Sequence, residues 1–416
     1  MKEKMKKIII KFEKNKVVLR NLFNLSLIQV FNLLAPLILY PLTIHRLGFN
    51  SMGTVVYYQG IIAFFAIFIN YGFYIIGAKL ISESYQNRIK LSLVVSTILL
   101  IKFIHWMISL FILIVVANIA YFNLNIEYII LAFLSTFYEL LFMQWFFQGV
   151  EKLKPMVLIN SSSKIIQIFF IFYFINDSND INIYFIIIAI LNFITGFVSI
   201  LIAFSEYKLK LILPSINYIK NIFISAGTLF LANITNSIKD RLSVLLIGNH
   251  INMVSVAYYD LAMRIVNIST LPINLITDAF FPSLVKKKST KTIYSLCLFS
   301  LLISIFLVIM EFIFAEKIIL ILAGNINETS IKVVKLALII VPILSISTVL
   351  GKLGLIASGR NKHFLYIVIK TVILYLIAVA LGYKFGFLNN IFLYISISIF
   401  IYIIELCLRA FYLYRK

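Results

Sequence analysis

The chain has 416 residues, is 62% hydrophobic and carries a formal net charge of +21. A mean hydropathy of +1.03 excludes an ordinary soluble domain and places it among polytopic membrane proteins. Its two cysteines, Cys297 and Cys407, lie in apolar runs and exclude a disulfide framework.

The opening stretch, MKEKMKKIIIKFEKNK, has an apolar run of only three residues, too short for a signal peptide. It reads as a basic amphipathic lead-in, residues 1–21, on the inner membrane surface. A membrane-spanning helix needs about 20 mostly apolar residues. Runs of that kind predict about twelve helices: 22–42, 56–78, 93–117, 128–149, 157–176, 183–205, 223–247, 257–283, 293–315, 331–351, 365–383 and 389–408. The expected fold is therefore all-α, with the connecting loops too short for a soluble catalytic domain.

A weak internal repeat divides the chain. Gly48 and the Tyr57-Tyr58 pair correspond to Gly248 and Tyr258-Tyr259, and Gly149 in FQGVEKLK corresponds to Gly359 in ASGRNKHF. Two six-helix bundles follow, 1–210 and 211–416, with a central polar cavity expected between the repeats.

Polar residues three and four apart mark helix faces. The first helix carries Gln29, Asn32 and Pro36; the second carries Gln59 and Asn70. Lys102 and His105 stand one turn apart in the third, and Glu139 lies in the fourth. The fifth carries Asn160, Lys164 and Gln167. The seventh carries Asn233, Ser237, Asp240 and Ser243, with Lys239 and Arg241 beside them. In the eighth, Asp260, Arg264, Asn267, Thr270, Asn274 and Asp278 form one stripe, about 27 Å long at 1.5 Å per residue. With Glu311 and Lys370, eleven ionisable side chains fall inside apolar helices. Each costs about 2.5–3.5 kcal/mol at the bilayer centre, so such groups face a bundle interior or a wet cavity.

Blander readings stand beside these. Asn and Ser can join helices as simple hydrogen-bonding glue. Asp260 and Arg264 can be a structural ion pair. Lys164, Lys335 and Lys370 lie near helix ends, where their stems can reach the interface, and Glu311 reads as interfacial.

Basic residues in loops set orientation. With the N-terminus inside, cytoplasmic segments hold 26 Lys and Arg, among them Lys286, Lys287, Lys288, Lys352 and Arg409; the opposite loops hold Arg46, Lys317 and Lys384. Both termini are expected in the cytoplasm, and the bias accounts for the net charge without a nucleic-acid partner. No HExxH, G-x-S-x-G or P-loop pattern occurs, and the four histidines are scattered. The sequence thus points to no enzyme, no metal site and no cofactor.

Three stretches carry a family resemblance: SLIQVFNLLAPLILYPLTIHRLGFNSMGTVVYYQGIIAFFAIFINYGFYIIGAKLIS within 24–82, WFFQGVEKLKPMVLINSSSKIIQIFFIF over Trp145 to Phe172, and AYYDLAMRIVNISTLPINLITDAFFPSLVKK over Ala257 to Lys287. In this order they resemble bacterial O-antigen flippases of the Wzx type. These form the polysaccharide transporter branch of the multidrug/oligosaccharidyl-lipid/polysaccharide exporter superfamily. Asn70 departs from the family pattern, where many relatives have Asp. Twelve helices rather than fourteen argue against the superfamily's peptidoglycan lipid flippases.

The resemblance implies a substrate, an undecaprenyl-pyrophosphate-linked oligosaccharide, flipped from the cytoplasmic to the periplasmic leaflet of the inner membrane. It also implies antiport against H+ or Na+, and partnership with the polymerase and chain-length proteins of the same pathway. The residues suit an anionic headgroup: Arg264, Arg241, Lys239, Lys102 and Lys164 as cations, and Gln29, Asn32, Asn70, Asn233, Ser237, Asn267 and Asn274 as polar lining. Asp240, Asp260, Asp278 and Glu139 are the candidate ion-coupling acids. The alternative is a cation-coupled multidrug exporter of the same superfamily, disfavoured by the net positive Lys239-Asp240-Arg241 cluster. A membrane glycosyltransferase would need a long periplasmic loop that the sequence lacks.

Overall fold

The computed structural model describes residues 38–118, 124–287 and 290–414, and these are helical with no strand among them. Gln29, Asn32, Pro36, the basic lead-in and most of the expected helix 22–42 lie outside the described residues. In chain order the helices are α1 (38–70), α2 (Phe73–Ser84), α3 (Arg88–Ala117), α4 (Ile126–Leu134), α5 (Phe137–Leu141), α6 (Gln144–Gly149), α7 (Lys154–Phe174) and α8 (Ile181–Glu206). They continue with α9 (Ile216–His250), α10 (Met253–Lys287), α11 (Thr290–Ile313), α12 (Ala315–Ala323), α13 (Glu328–Ala337), α14 (Ile340–Thr348), a π-helical segment (Val349–Ile356), α15 (Asn361–Lys384) and α16 (Ile391–Tyr414).

Nine stretches among the described residues are long and apolar enough to cross a membrane. Helices α9 and α10 are not among them, although each has 35 residues, about 52 Å of helix. Their polar stripes, not their length, set them apart. The chain is an all-α, polytopic membrane protein.

Local chemistry explains the boundaries. Asn87 caps α3 by accepting from the Ile89 and Lys90 amides at 3.1 and 3.0 Å. Asn125 caps α4 in the same way, and Asn327 and Ser330 form a capping box on α13. Within the helical run 38–70, Gly48 has φ +74, a left-handed conformation that favours glycine, at the point where the sequence places the first loop. Tyr71 and Gly72, at φ +49 and +82, break the next helix before α2.

The expected span 128–149 is present as one membrane-length stretch, Ile126–Gly149, interrupted twice so that it consists of α4, α5 and α6. Neither proline nor glycine causes the breaks. Asn192 Nδ2 donates to the Ser135 carbonyl at 2.9 Å, and Ser199 Oγ accepts from the Met143 amide at 3.0 Å. Side chains of α8 thus satisfy the backbone groups that the interruptions release. The expected span 331–351 is likewise one stretch, Glu328–Ile356, made of α13, α14 and the π-helical segment.

The described helices fall into two compact units. Of the described residues, those within 38–46 and 62–233 form the first, and those within 47–61 and 234–414 form the second. In the first unit, Trp145, Phe146 and Phe147 of α6 are buried against α2 and α3. Gly77 makes this possible, because a Cβ there would sit 3.0 Å from the Trp145 ring. In the second unit, Gly53 lies so close to the Met253 carbonyl that no side chain fits, and Tyr57 donates to Asn249 Oδ1 at 2.5 Å. These contacts explain why residues 47–61 cluster with the second unit. Its core joins Ile273 and Leu284 of α10 to Ile293 of α11 and Leu353 of the π-helical segment.

Candidate functional site

The eighth predicted helix, now α10, carries its polar stripe as the spacing required. Arg264 Nε donates to Asp260 Oδ2 at 2.6 Å, and both residues are half-buried. One turn on, Asn267 is exposed, and its carbonyl accepts from Thr270 Oγ1 at 2.9 Å. Asn274 is half-buried, and Asp278 is exposed and ion-paired to Lys352. The stripe is thus reachable along most of its length.

The second half of α9 supplies the other charged cluster of this unit. Lys239 Nζ lies 2.9 Å from Glu405 Oε2 on α16, and Arg409, one turn further along α16, pairs with the same carboxylate. Asp240 accepts from Tyr402 Oη at 3.4 Å. Ser243 and Tyr375 share a buried hydrogen bond of 2.6 Å. Arg241 is exposed and Ser237 is half-buried; Asn233, the last residue of the first unit's share of α9, is exposed.

The first unit holds a second group. Lys102 is buried on α3 and interacts electrostatically with Glu139 of α5. Glu139 Oε2 accepts from Asn70 Nδ2 at 2.8 Å. Lys164 donates to Gln167 at 3.2 Å within α7. His105 stacks on Phe68 at 4.4 Å and lies 4.8 Å from the Tyr71 ring, in an aromatic nest rather than a polar one.

Arg409 and Lys352, read from the sequence as cytoplasmic-side residues, lie on α16 and the π-helical segment, where they meet Glu405 and Asp278. The helix runs beyond 408 because its charges find partners there. Glu311, read as interfacial, accepts from Ser269 Oγ at 2.5 Å. Glu405 is the residue that sequence reasoning missed. Its signal was the four-residue spacing to Arg409, which puts the two on one helix face. By contrast Lys370 and Lys335 lie over aromatic rings, 4.5 Å from Tyr366 and 4.6 Å from Phe312, as reaching lysines do. Among the described residues, no group of three His, Cys, Asp or Glu is placed to hold a metal ion.

Comparison with known proteins gives this arrangement a context. The chain is 25% identical over 271 residues to a protein of Escherichia coli (strain K12) named "Putative O-antigen transporter". That alignment covers 64% of this chain and 65% of the relative, just under two thirds of its length. A Shigella dysenteriae protein of the same name is 24% identical over 376 residues, covering 88% of this chain and 93% of that one. Among solved structures, an inward-facing multidrug resistance MATE family transporter of the MOP superfamily aligns with a TM-score of 0.66 at 13% identity. That alignment covers 91% of this chain and 94% of the other. A MOP superfamily transporter from Pyrococcus furiosus, described as having a binding pocket of reversed polarity, aligns with a TM-score of 0.53 at 16% identity, over 94% and 92% of the two chains. At such identities the structures share the fold alone. The sequence match goes further: the profile described as polysaccharide biosynthesis protein covers residues 18–288, from the first predicted helix through the polar stripe of α10, and the chain belongs to that family.

Proposed function

We propose that the chain is a flippase that moves an undecaprenyl-pyrophosphate-linked oligosaccharide, an O-antigen repeat unit, from the cytoplasmic to the periplasmic leaflet of the bacterial inner membrane. The observation that carries this reading is the stripe on α10. Asp260, Arg264, Asn267, Asn274 and Asp278 give about 27 Å of reachable polar surface on one membrane helix, close to the hydrocarbon thickness. A glycan needs such a surface for its hydroxyls. A pyrophosphate needs cations, because charge-assisted contacts offset its lost hydration. Arg264 and the exposed Arg241 supply them. Transport is driven by H+ or Na+ antiport through alternating access, with the coupling acid drawn from Asp240, Asp260, Asp278 and Glu139. The names of the E. coli and Shigella relatives favour the same substrate class.

Arg264→Ala and Arg241→Ala should each abolish surface polysaccharide in a strain that depends on this chain, with protein abundance unchanged. Lysine at either position should restore only part, because the planar arginine fork fits phosphate better. Full surface polysaccharide in Arg264→Ala refutes the assignment. Orientation is checked separately: a reporter fused at Lys287 should read cytoplasmic and one at Asn325 periplasmic.

A further inference from the structure

Glu405 holds two cations from two helices, one on each carboxylate oxygen. Lys239 Nζ approaches Oε2 at 2.9 Å, and Arg409 Nη2 meets Oε1. Arg409 is fixed independently of this contact. Its Nη1 donates to the Ser347 carbonyl at 2.7 Å and to Ser347 Oγ at 3.0 Å. Its guanidinium lies 5.1 Å over the Phe364 ring. A Cβ at Gly351 would come within 2.7 Å of Nη1, so the backbone of the π-helical segment packs directly on the guanidinium. Arg409 Nε is buried and meets no acceptor among the described residues. Lys239 is held 5.2 Å over the Tyr402 ring, whose hydroxyl donates to Asp240.

Stability alone does not account for this cluster. The side chains are 13, 6 and 10% exposed for Lys239, Glu405 and Arg409, so all three charges have lost most of their hydration. Apolar residues of similar volume would hold the same helices at least as well. The geometry has a more specific property. Both cations are positioned by groups other than Glu405, and Arg409 keeps one unused donor beside it. A carboxylate presents two oxygens in one plane. A phosphoryl group presents three, enough to engage Lys239, Arg409 Nη2 and the spare Nε together. Lys239 keeps 13% of its side chain exposed, so the cluster is not fully sealed.

We infer that Lys239 and Arg409 form an anion cradle for a phosphoryl or pyrophosphoryl group, and that Glu405 fills it until the substrate's anion displaces it. The naming of the ligand rests on the flippase reading; the cradle itself rests on the contacts. Displacement moves the Glu405 carboxylate off the two cations, and it makes or breaks no covalent bond. Glu405 is then a gatekeeper of the site: a ligand without an oxyanion cannot compete with it, which selects charged headgroups over neutral glycans.

The test uses the full chain in lipid nanodiscs, titrated with inorganic pyrophosphate and, as a control that lacks an oxyanion, chloride. Glu405→Gln removes the competing charge and should tighten pyrophosphate binding about tenfold, the size of one charge-assisted contact. Lys239→Met should remove the gain that Glu405→Gln brings. An unchanged pyrophosphate affinity in folded Glu405→Gln overturns the cradle. If that variant does not fold, the decision falls to Lys239→Met/Glu405→Met/Arg409→Met, which replaces the whole triad and should fold. It should reach normal abundance yet yield no surface polysaccharide. Normal polysaccharide from the triple variant overturns the cradle and leaves the flippase reading standing. Loss of the flippase reading would show elsewhere, as full function in Arg264→Ala.

Discussion

Lys102 in the first unit and Lys239 in the second both sit on membrane helices with little exposure, yet their surroundings differ. Lys239 touches its counter-charge at 2.9 Å, and that carboxylate also binds Arg409. Lys102 interacts with Glu139 electrostatically, while the carboxylate takes its hydrogen bond from the Asn70 amide. The same holds elsewhere. In the first unit Lys164 bonds to Gln167; in the second Arg264 has Asp260 and Lys352 has Asp278. The first unit satisfies its inner charges largely with amides, and the second neutralises them with contact pairs. A contact pair can exchange partners, so the proposed transport cycle places its charge rearrangement in the second unit.

The largest expected effect follows from removing the shared carboxylate. Glu405→Ala leaves two buried cations unpaired and should lower stability by about 3–5 kcal/mol. A thermal or denaturant melt in detergent measures it. A double-mutant cycle sharpens the contrast. Lys239→Met with Glu405→Gln should show a coupling of about 1–3 kcal/mol, the range for residues in contact. Lys102→Met with Glu139→Gln should couple less. Equal couplings would erase the distinction between the units.

The same contrast sets the limits of what the sequence could tell. Stripes were legible because a 3.6-residue period is a property of one helix: Asp260, Arg264, Asn267, Thr270, Asn274 and Asp278 needed no tertiary knowledge. The partner of Lys239 was not legible, because 166 residues separate it from Glu405. The breaks around α5 were hidden for a related reason. Nothing in SerThrPheTyrGlu, residues 135–139, disfavours a helix as a proline would. The interruptions depend on Asn192 and Ser199 of α8 supplying the hydrogen bonds. Gly48 was legible as a loop residue, and its φ of +74 explains why a glycine stands there.

The repeat glycines offer an intermediate effect. Gly149 in the first unit and Gly359 in the second correspond in sequence but are needed for different reasons. A Cβ at Gly149 would sit 2.6 Å from the Ala78 carbonyl oxygen and 2.6 Å from Ile81 Cβ. Gly359 has open space around it but a φ of +81. Gly149→Ala should therefore cost about 1–3 kcal/mol by overpacking. Gly359→Ala should cost about 1 kcal/mol through the backbone. Asparagine should recover part of the loss at 359 and none at 149, because it tolerates the left-handed region but not the lack of room. Recovery by asparagine at 149 would mean that backbone conformation, not packing, fixes that glycine.

The smallest effect on stability belongs to Asp278, and it bears most directly on coupling. Its pair with Lys352 is exposed, so Asp278→Asn should change stability by about 0–1 kcal/mol. Asp260 is less exposed and is the counter-charge of Arg264, so Asp260→Asn should cost more and leave Arg264 freer to hold an anion. If charge rearrangement belongs to the second unit, one or both of these variants should flip substrate in liposomes without responding to an imposed H+ or Na+ gradient. Glu139→Gln in the first unit, which keeps a hydrogen-bonding partner for Asn70, should still respond. The opposite pattern, a gradient response lost in Glu139→Gln and kept in both α10 variants, would move coupling into the first unit. The amide-held carboxylate beside buried Lys102 would then be the group that binds and releases the ion. The contact pairs of the second unit would be left to hold the substrate.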